Sequence, residues 1–103
     1  MYFISITVPP SVVQHPSNVT RTVGESVVFD CMFSAIPKPN VSWFHLAGNS
    51  QISLNNSLNY VLMDSRLKVR QVTKENEGKY ICRATNVAGT ASSSAFLKVE
   101  GLS

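Results

Sequence analysis

The chain has 103 residues, two cysteines and a net charge of +3. That length suits a single domain able to bury roughly two thirds of its unfolded surface, enough for one modest core. Its nine bases are spread along the chain with acids between many of them, which excludes the concentrated basic run of a nucleic-acid or membrane tail.

The apolar start, Met1 to Val8, is interrupted by Ser5 and Thr7. It is too short to span a bilayer and lacks the basic opening of a signal peptide. Met1 reads as an expression start, and the chain as one domain of a larger protein. Short segments then recur between turn signals with no sustained helical period, which predicts an all-β sandwich or barrel. A first strand is expected over Ile4 to Val8, broken by Pro9-Pro10, and a second piece over Asn18 to Val23, after His15-Pro16. Proline cannot donate to a ladder, so this split opening belongs on an edge.

Ser26 to Ser34 alternates cleanly: Val27, Phe29, Cys31 and Phe33 share one face, while Val28, Asp30 and Met32 share the other. The cysteine marks the first set as the core side. After a loop at Pro37-Lys38-Pro39 comes a strand from Val41 to Leu46, with Val41 and Trp43 facing in. Ala47 to Ser50 is a turn, Gln51 to Leu54 a short edge strand, and Asn55-Asn56-Ser57 a polar loop. Tyr60 to Met63 and Arg66 to Val72 form the next pair, with Leu67 and Val69 inward. Thr73 to Glu77 crosses between sheets, and Lys79 to Val87 buries Tyr80, Cys82 and Ala84. The last arm opens at Gly89, which can take a positive φ in the hairpin turn at little cost, and points Ala91, Ser93, Ala95, Leu97 and Val99 inward.

Trp43 lies twelve residues after Cys31, and Tyr80 two before Cys82. A Cys…Trp…Tyr-x-Cys layout is how a two-sheet sandwich pins its layers around a buried indole. With Gly24-Glu25-Ser26, Pro37-Lys38-Pro39, Leu67-x-Val69-x-x-Val72, Gly78-x-Tyr80-x-Cys82-x-Ala84-x-Asn86-x-x-Gly89 and Leu97-x-Val99, the chain resembles an immunoglobulin domain of the I-set type over nearly its whole length. The resemblance implies two Greek-key sheets, lettered ABED and A′GFCC′ in that family. It also implies a Cys31–Cys82 disulfide packed on Trp43, and a Tyr80 hydroxyl returning to backbone near the crossing, with Leu67 in the core signature. Residues 1–8 are expected to be lead-in and first strand, 9–100 the domain, and 101–103 a linker. Two positions depart from the family pattern. Asn76 stands where an acid is usual, so the family's ion pair to a base such as Arg66 is not implied here, with Glu75 or Glu77 the candidate substitutes. Ile36 stands where the B–C loop usually has glycine.

His15 and His45 have no sequence-local nucleophile or metal partner, and both are expected to be solvent-exposed. No catalytic residue, metal ligand set or cofactor is expected, and any enzymatic activity would lie in another domain of the parent protein. Cys31 and Cys82 form a bridge in an oxidising compartment and remain buried thiols in cytosol. Asn18-Val19-Thr20, Asn40-Val41-Ser42 and Asn55-Asn56-Ser57 are N-glycosylation acceptors if the chain is secreted. By alternation Phe44, Ile81 and Phe96 face away from the core with Arg83 beside them, an apolar cluster with a basic rim suited to protein contact. Ile36 is a further contact candidate at a loop tip.

The function expected is that of a non-catalytic interaction and spacer module in an extracellular receptor, adhesion or matrix protein. The alternative is a mechanical scaffold domain of an intracellular sarcomeric or cytoskeletal protein. The partners expected are another protein, a neighbouring domain of the same chain or, weakly, a second copy. Neither nucleic acid nor direct membrane insertion is expected.

Overall fold

The computed structural model describes residues 5–101. Its elements are β1 (Val8–Gln14), β2 (Val19–Thr22), β3 (Val27–Asp30), β4 (Met32–Ile36), β5 (Asn40–Ala47), β6 (Ser50–Ser53), β7 (Tyr60–Met63), β8 (Arg66–Val69), a 3-10 turn at Lys74–Asn76, β9 (Gly78–Asn86) and β10 (Gly89–Glu100). One layer runs β2-β10-β9-β5-β6, with β2 parallel to β10 and the other pairs antiparallel. The second contains β3-β8-β7 and β1-β4. β3 and β4 are two halves of one strand interrupted at Cys31, whose amide donates to the Ser65 carbonyl at 2.9 Å. These layers are the two expected sheets, A′GFCC′ and ABED.

The opening strand differs from expectation. It does not precede Pro9-Pro10 but begins at Val8 and runs through them to Gln14; residues 5–7 are outside any strand, and Ile4 lies outside the described residues. The β1–β4 register jumps between Val8 and Ser11, so the two residues without an amide proton sit where the ladder skips them. An edge position tolerates that; a central strand would not. The β8 strand also ends early, at Val69, although Val72 is fully buried.

The core lies between the layers. Val27, Phe29 and Cys31 meet Leu67 and Val69 on one side, and Trp43, Tyr80, Cys82, Leu97 and Val99 on the other, all at most 2% exposed. Cys31 and Cys82 are disulfide-bonded across the layers, 51 residues apart in sequence. Closing a loop of that size stabilises the fold by roughly 4 kcal/mol in the chain-entropy model. Trp43 lies directly opposite Cys82 in the β5–β9 ladder. Phe29 stacks on Tyr80 at 5.1 Å between ring centroids.

The crossing before β9 is held by hydrogen bonds in place of an ion pair. The Tyr80 hydroxyl donates to the Asn76 carbonyl. The buried Asn76 side chain accepts from the Thr73 amide at 2.7 Å and donates to the Tyr60 hydroxyl at 3.0 Å. A neutral amide suits this site because it supplies both a donor and an acceptor. Arg66 turns to Asp30 at 3.3 Å; neither Glu75 nor Glu77 replaces the missing acid. Glu77 instead accepts from the Val99 amide at 2.9 Å and meets Lys74 at 3.5 Å. The amide first, and Lys74 with it, hold its carboxyl below the ordinary value of 4.5.

His45 corrects a further expectation: it is 5% exposed, not solvated. Its ring stacks parallel on Tyr80 at 4.4 Å, and its Nε2 bonds the Glu77 carbonyl at 3.0 Å. A carbonyl only accepts, so Nε2 carries the proton. Gly78 makes room for this ring. It has φ +140°, and an added Cβ would lie 2.7 Å from the Leu46 carbonyl oxygen and 2.8 Å from His45 Nε2. Gly89, by contrast, is not among the residues with positive φ. The turn there is closed by Asn86, whose side-chain carbonyl accepts from the Ala88 and Gly89 amides. Gly89 is small because a Cβ would come within 3.2 Å of Pro9.

Candidate protein-binding face

The strands that bury Trp43, Tyr80 and Leu97 send their alternate residues to the opposite, outer side of the five-stranded layer. Register sorts those residues into rows. Phe44 lies opposite Ile81, which lies opposite Ser94; in the next row Leu46, Lys79 and Phe96 face one another in turn. Phe44 and Ile81 are therefore direct cross-strand neighbours, both half-buried. Phe96 is diagonal to Ile81 across the β9–β10 ladder, close enough for an aromatic side chain to reach. It is 47% exposed, and Lys79 stands between it and Leu46.

Arg83 lies over Phe44, its guanidinium carbon 4.6 Å from the ring centroid, while its Nε donates to the Ser92 hydroxyl at 3.4 Å. Such a cation–π contact is worth about 0.5–1 kcal/mol at an exposed site. Among the described residues no carboxylate lies within 4.0 Å of Lys79, Arg83 or Lys98. The face is thus apolar along one diagonal and positively charged around it. Leu46 is a member that reading the sequence passed over. Its parity with Phe44 places it there.

Ile36 is not part of this cluster. It is 53% exposed on β4 in the other layer, opposite Val8. That pole is tied together by Asn86, whose Nδ2 donates to the carbonyls of Val8 and Pro37 at 2.9 and 3.1 Å. The acceptor asparagines Asn18, Asn40 and Asn55 are all exposed. Asn18 borders the outer face directly, its side-chain carbonyl accepting from the Phe96 amide at 2.8 Å. Asn40 opens β5 and lines a cleft with Met32, Phe33, Lys38, Val41 and Leu62. Asn55 lies in the loop between β6 and β7. His15 is exposed and bonds the Ser93 hydroxyl. Among the described residues no three metal-ligating side chains gather at one point.

Residues 10–99 match the sequence profile of the Immunoglobulin I-set domain. The chain belongs to the immunoglobulin I-set family. This I-set domain is 34% identical over 94 residues to Vascular endothelial growth factor receptor 1 of Homo sapiens, covering 91% of the chain and 7% of the receptor. It is 36% identical over 100 residues to Neural cell adhesion molecule 1 of Bos taurus, covering 93% of the chain and 12% of that protein. Among solved structures it superimposes on the I-band fragment I67-I69 from titin with a TM-score of 0.79 at 33% identity, covering 89% of the chain and 32% of the fragment. The domain spans only 7% of the receptor and 12% of the adhesion molecule, and the I-set fold is a non-catalytic one. No helix among the described residues is long and apolar enough to cross a membrane.

Proposed function

We propose that this I-set domain, residues 9–100 with 1–8 as lead-in and 101–103 as linker, is an interaction and spacer module of an extracellular multidomain receptor, adhesion or matrix protein. Its partner binds the outer face of β5, β9 and β10. The observation that carries this reading is the Phe44–Ile81–Phe96 diagonal, flanked by the unpaired bases Lys79, Arg83 and Lys98. A partner that accepts Phe96 in a pocket and carries carboxylates at its rim fits that surface. The likeness to a growth factor receptor and an adhesion molecule supports the extracellular placement. Glycans on Asn18, Asn40 and Asn55 belong to the same reading, and none of these side chains is buried. Ile36, at the opposite pole, is the candidate contact for a neighbouring domain.

The test is secretion from a eukaryotic cell followed by intact mass and binding. The expected result is loss of two hydrogens and gain of glycan mass, with a tetramerised domain staining cells that bear the partner. Phe44→Ser/Phe96→Ser should abolish the staining while Ile36→Ser keeps it. Staining unchanged by the double variant would defeat the surface assignment. The likeness to the titin fragment favours a second reading, an intracellular mechanical domain with both thiols reduced. Unmodified protein whose thiols alkylate after unfolding would support it.

A further inference from the structure

The edges of the two sheets are closed in different ways. Edge strands expose unpaired backbone groups, and proteins blunt them with charge, proline or a bulge. β1 has two prolines and two register shifts. β7 is plugged by side chains: the Leu62 amide donates to Asn56 at 2.7 Å, and the Tyr60 amide to the Ser57 hydroxyl at 3.2 Å. β6 has none of these devices. No Asp, Glu, Lys or Arg occurs between Lys38 and Asp64, and no proline follows Pro39. Its ladder with β5 runs without a shift from Phe44↔Ser53 to Ala47↔Ser50. All four of its residues are exposed, Ile52 at 53%.

Backbone alternation says which groups are free. The Leu54 amide donates to the Trp43 carbonyl at 2.9 Å. Leu54, and by alternation Ile52 and Ser50, therefore turn their backbone groups toward β5. Gln51 and Ser53 turn theirs outward, and among the described residues no side chain or loop satisfies their amides.

We propose that β6 pairs antiparallel with β6 of a second copy of this chain about a two-fold axis at Ile52. In that register Gln51 of each copy faces Ser53 of the other as a hydrogen-bonded pair, using the outward groups of both. Ile52 then faces Ile52 as a non-hydrogen-bonded pair, the kind in which side chains approach most closely. Charge selects a second copy as the occupant. A two-fold contact sets the groups at its axis beside their twins, so a charge there would meet like charge. The segment from Pro39 to Met63 has no charged side chain to repel itself. The contact is short and falls below the roughly 1,200 Å² of a standard interface, so the dimer is weak, dissociating at about 0.1–1 mM.

Sedimentation of the oxidised, unglycosylated chain from about 10 µM to 1 mM tests this. The expected result is a reversible monomer–dimer equilibrium weakened at least tenfold by Gln51→Pro and by Ile52→Lys, and unchanged by Phe96→Ser. Proline at position 51 removes only an outward amide, so the β5 ladder survives. Slower amide exchange at Gln51 and Ser53 with rising protein concentration should accompany dimerisation. A chain monomeric at 1 mM, a dimer that survives both β6 variants, a dimer lost in Phe96→Ser, or exchange at those amides independent of concentration would each overturn the proposal. Because Phe96→Ser acts on the other surface, failure here leaves the outer-face reading standing.

Discussion

The inner and outer sides of β5, β9 and β10 share one backbone and differ in almost everything else. Inward, Trp43, Tyr80, Cys82 and Leu97 are at most 1% exposed and fixed by rings, a disulfide and a hydroxyl bond. Outward, Phe44 and Ile81 are half-buried and Phe96 is 47% exposed, with one cation–π contact among them. Packing therefore determines every second residue and constrains those between far less. A fold that so constrains one side can vary the other at little cost, which is how one architecture serves many partners.

The largest break in this contrast is Trp43→Ala. Emptying the indole site should cost about 3–5 kcal/mol in denaturant unfolding. Removing the cross-link with Cys31→Ala/Cys82→Ala should cost about 2–5 kcal/mol. Tyr80→Phe strips the Asn76 carbonyl of its buried donor and should lower stability by about 1–3 kcal/mol. Glu77→Gln sharpens the account by pH. Its carboxyl is depressed in the folded state, so its contribution is present above pH 4.5 and lost as pH falls through the lower folded value. The variant's melting temperature should therefore change less between pH 5 and pH 3 than the wild type's. The smallest effect belongs to the outer side: Phe96→Ser should move stability by no more than about 0.5 kcal/mol.

Much of the inner side was legible because a cysteine or tryptophan fixes the parity of a strand and every second residue follows. His45 shows where that reading stopped. It shares parity with Val41 and Trp43, but its polarity suggested solvent. Only the Tyr80 ring on the neighbouring strand and the Glu77 carbonyl just before that strand explain its burial. Asn76 is similar, since its partners Thr73 and Tyr60 lie on different elements. On the outer side alternation gave the direction of Phe44, Ile81 and Phe96 but not their rows. Placing Phe96 opposite Lys79 instead of Ile81 requires the register of β9 on β10. The opening strand starts later than the sequence suggests because proline reads as a terminator. On an edge with a register shift it is merely unpaired.

The most direct measurement is the unfolding free energy of Phe44→Ser/Phe96→Ser by denaturant titration. The account predicts a loss of no more than about 1.5 kcal/mol, since one ring is half-solvated and the other half-buried beneath Arg83. A loss of about 3 kcal/mol or more, the size of a core deletion, would mean that these residues hold the fold together and are not spare for a partner.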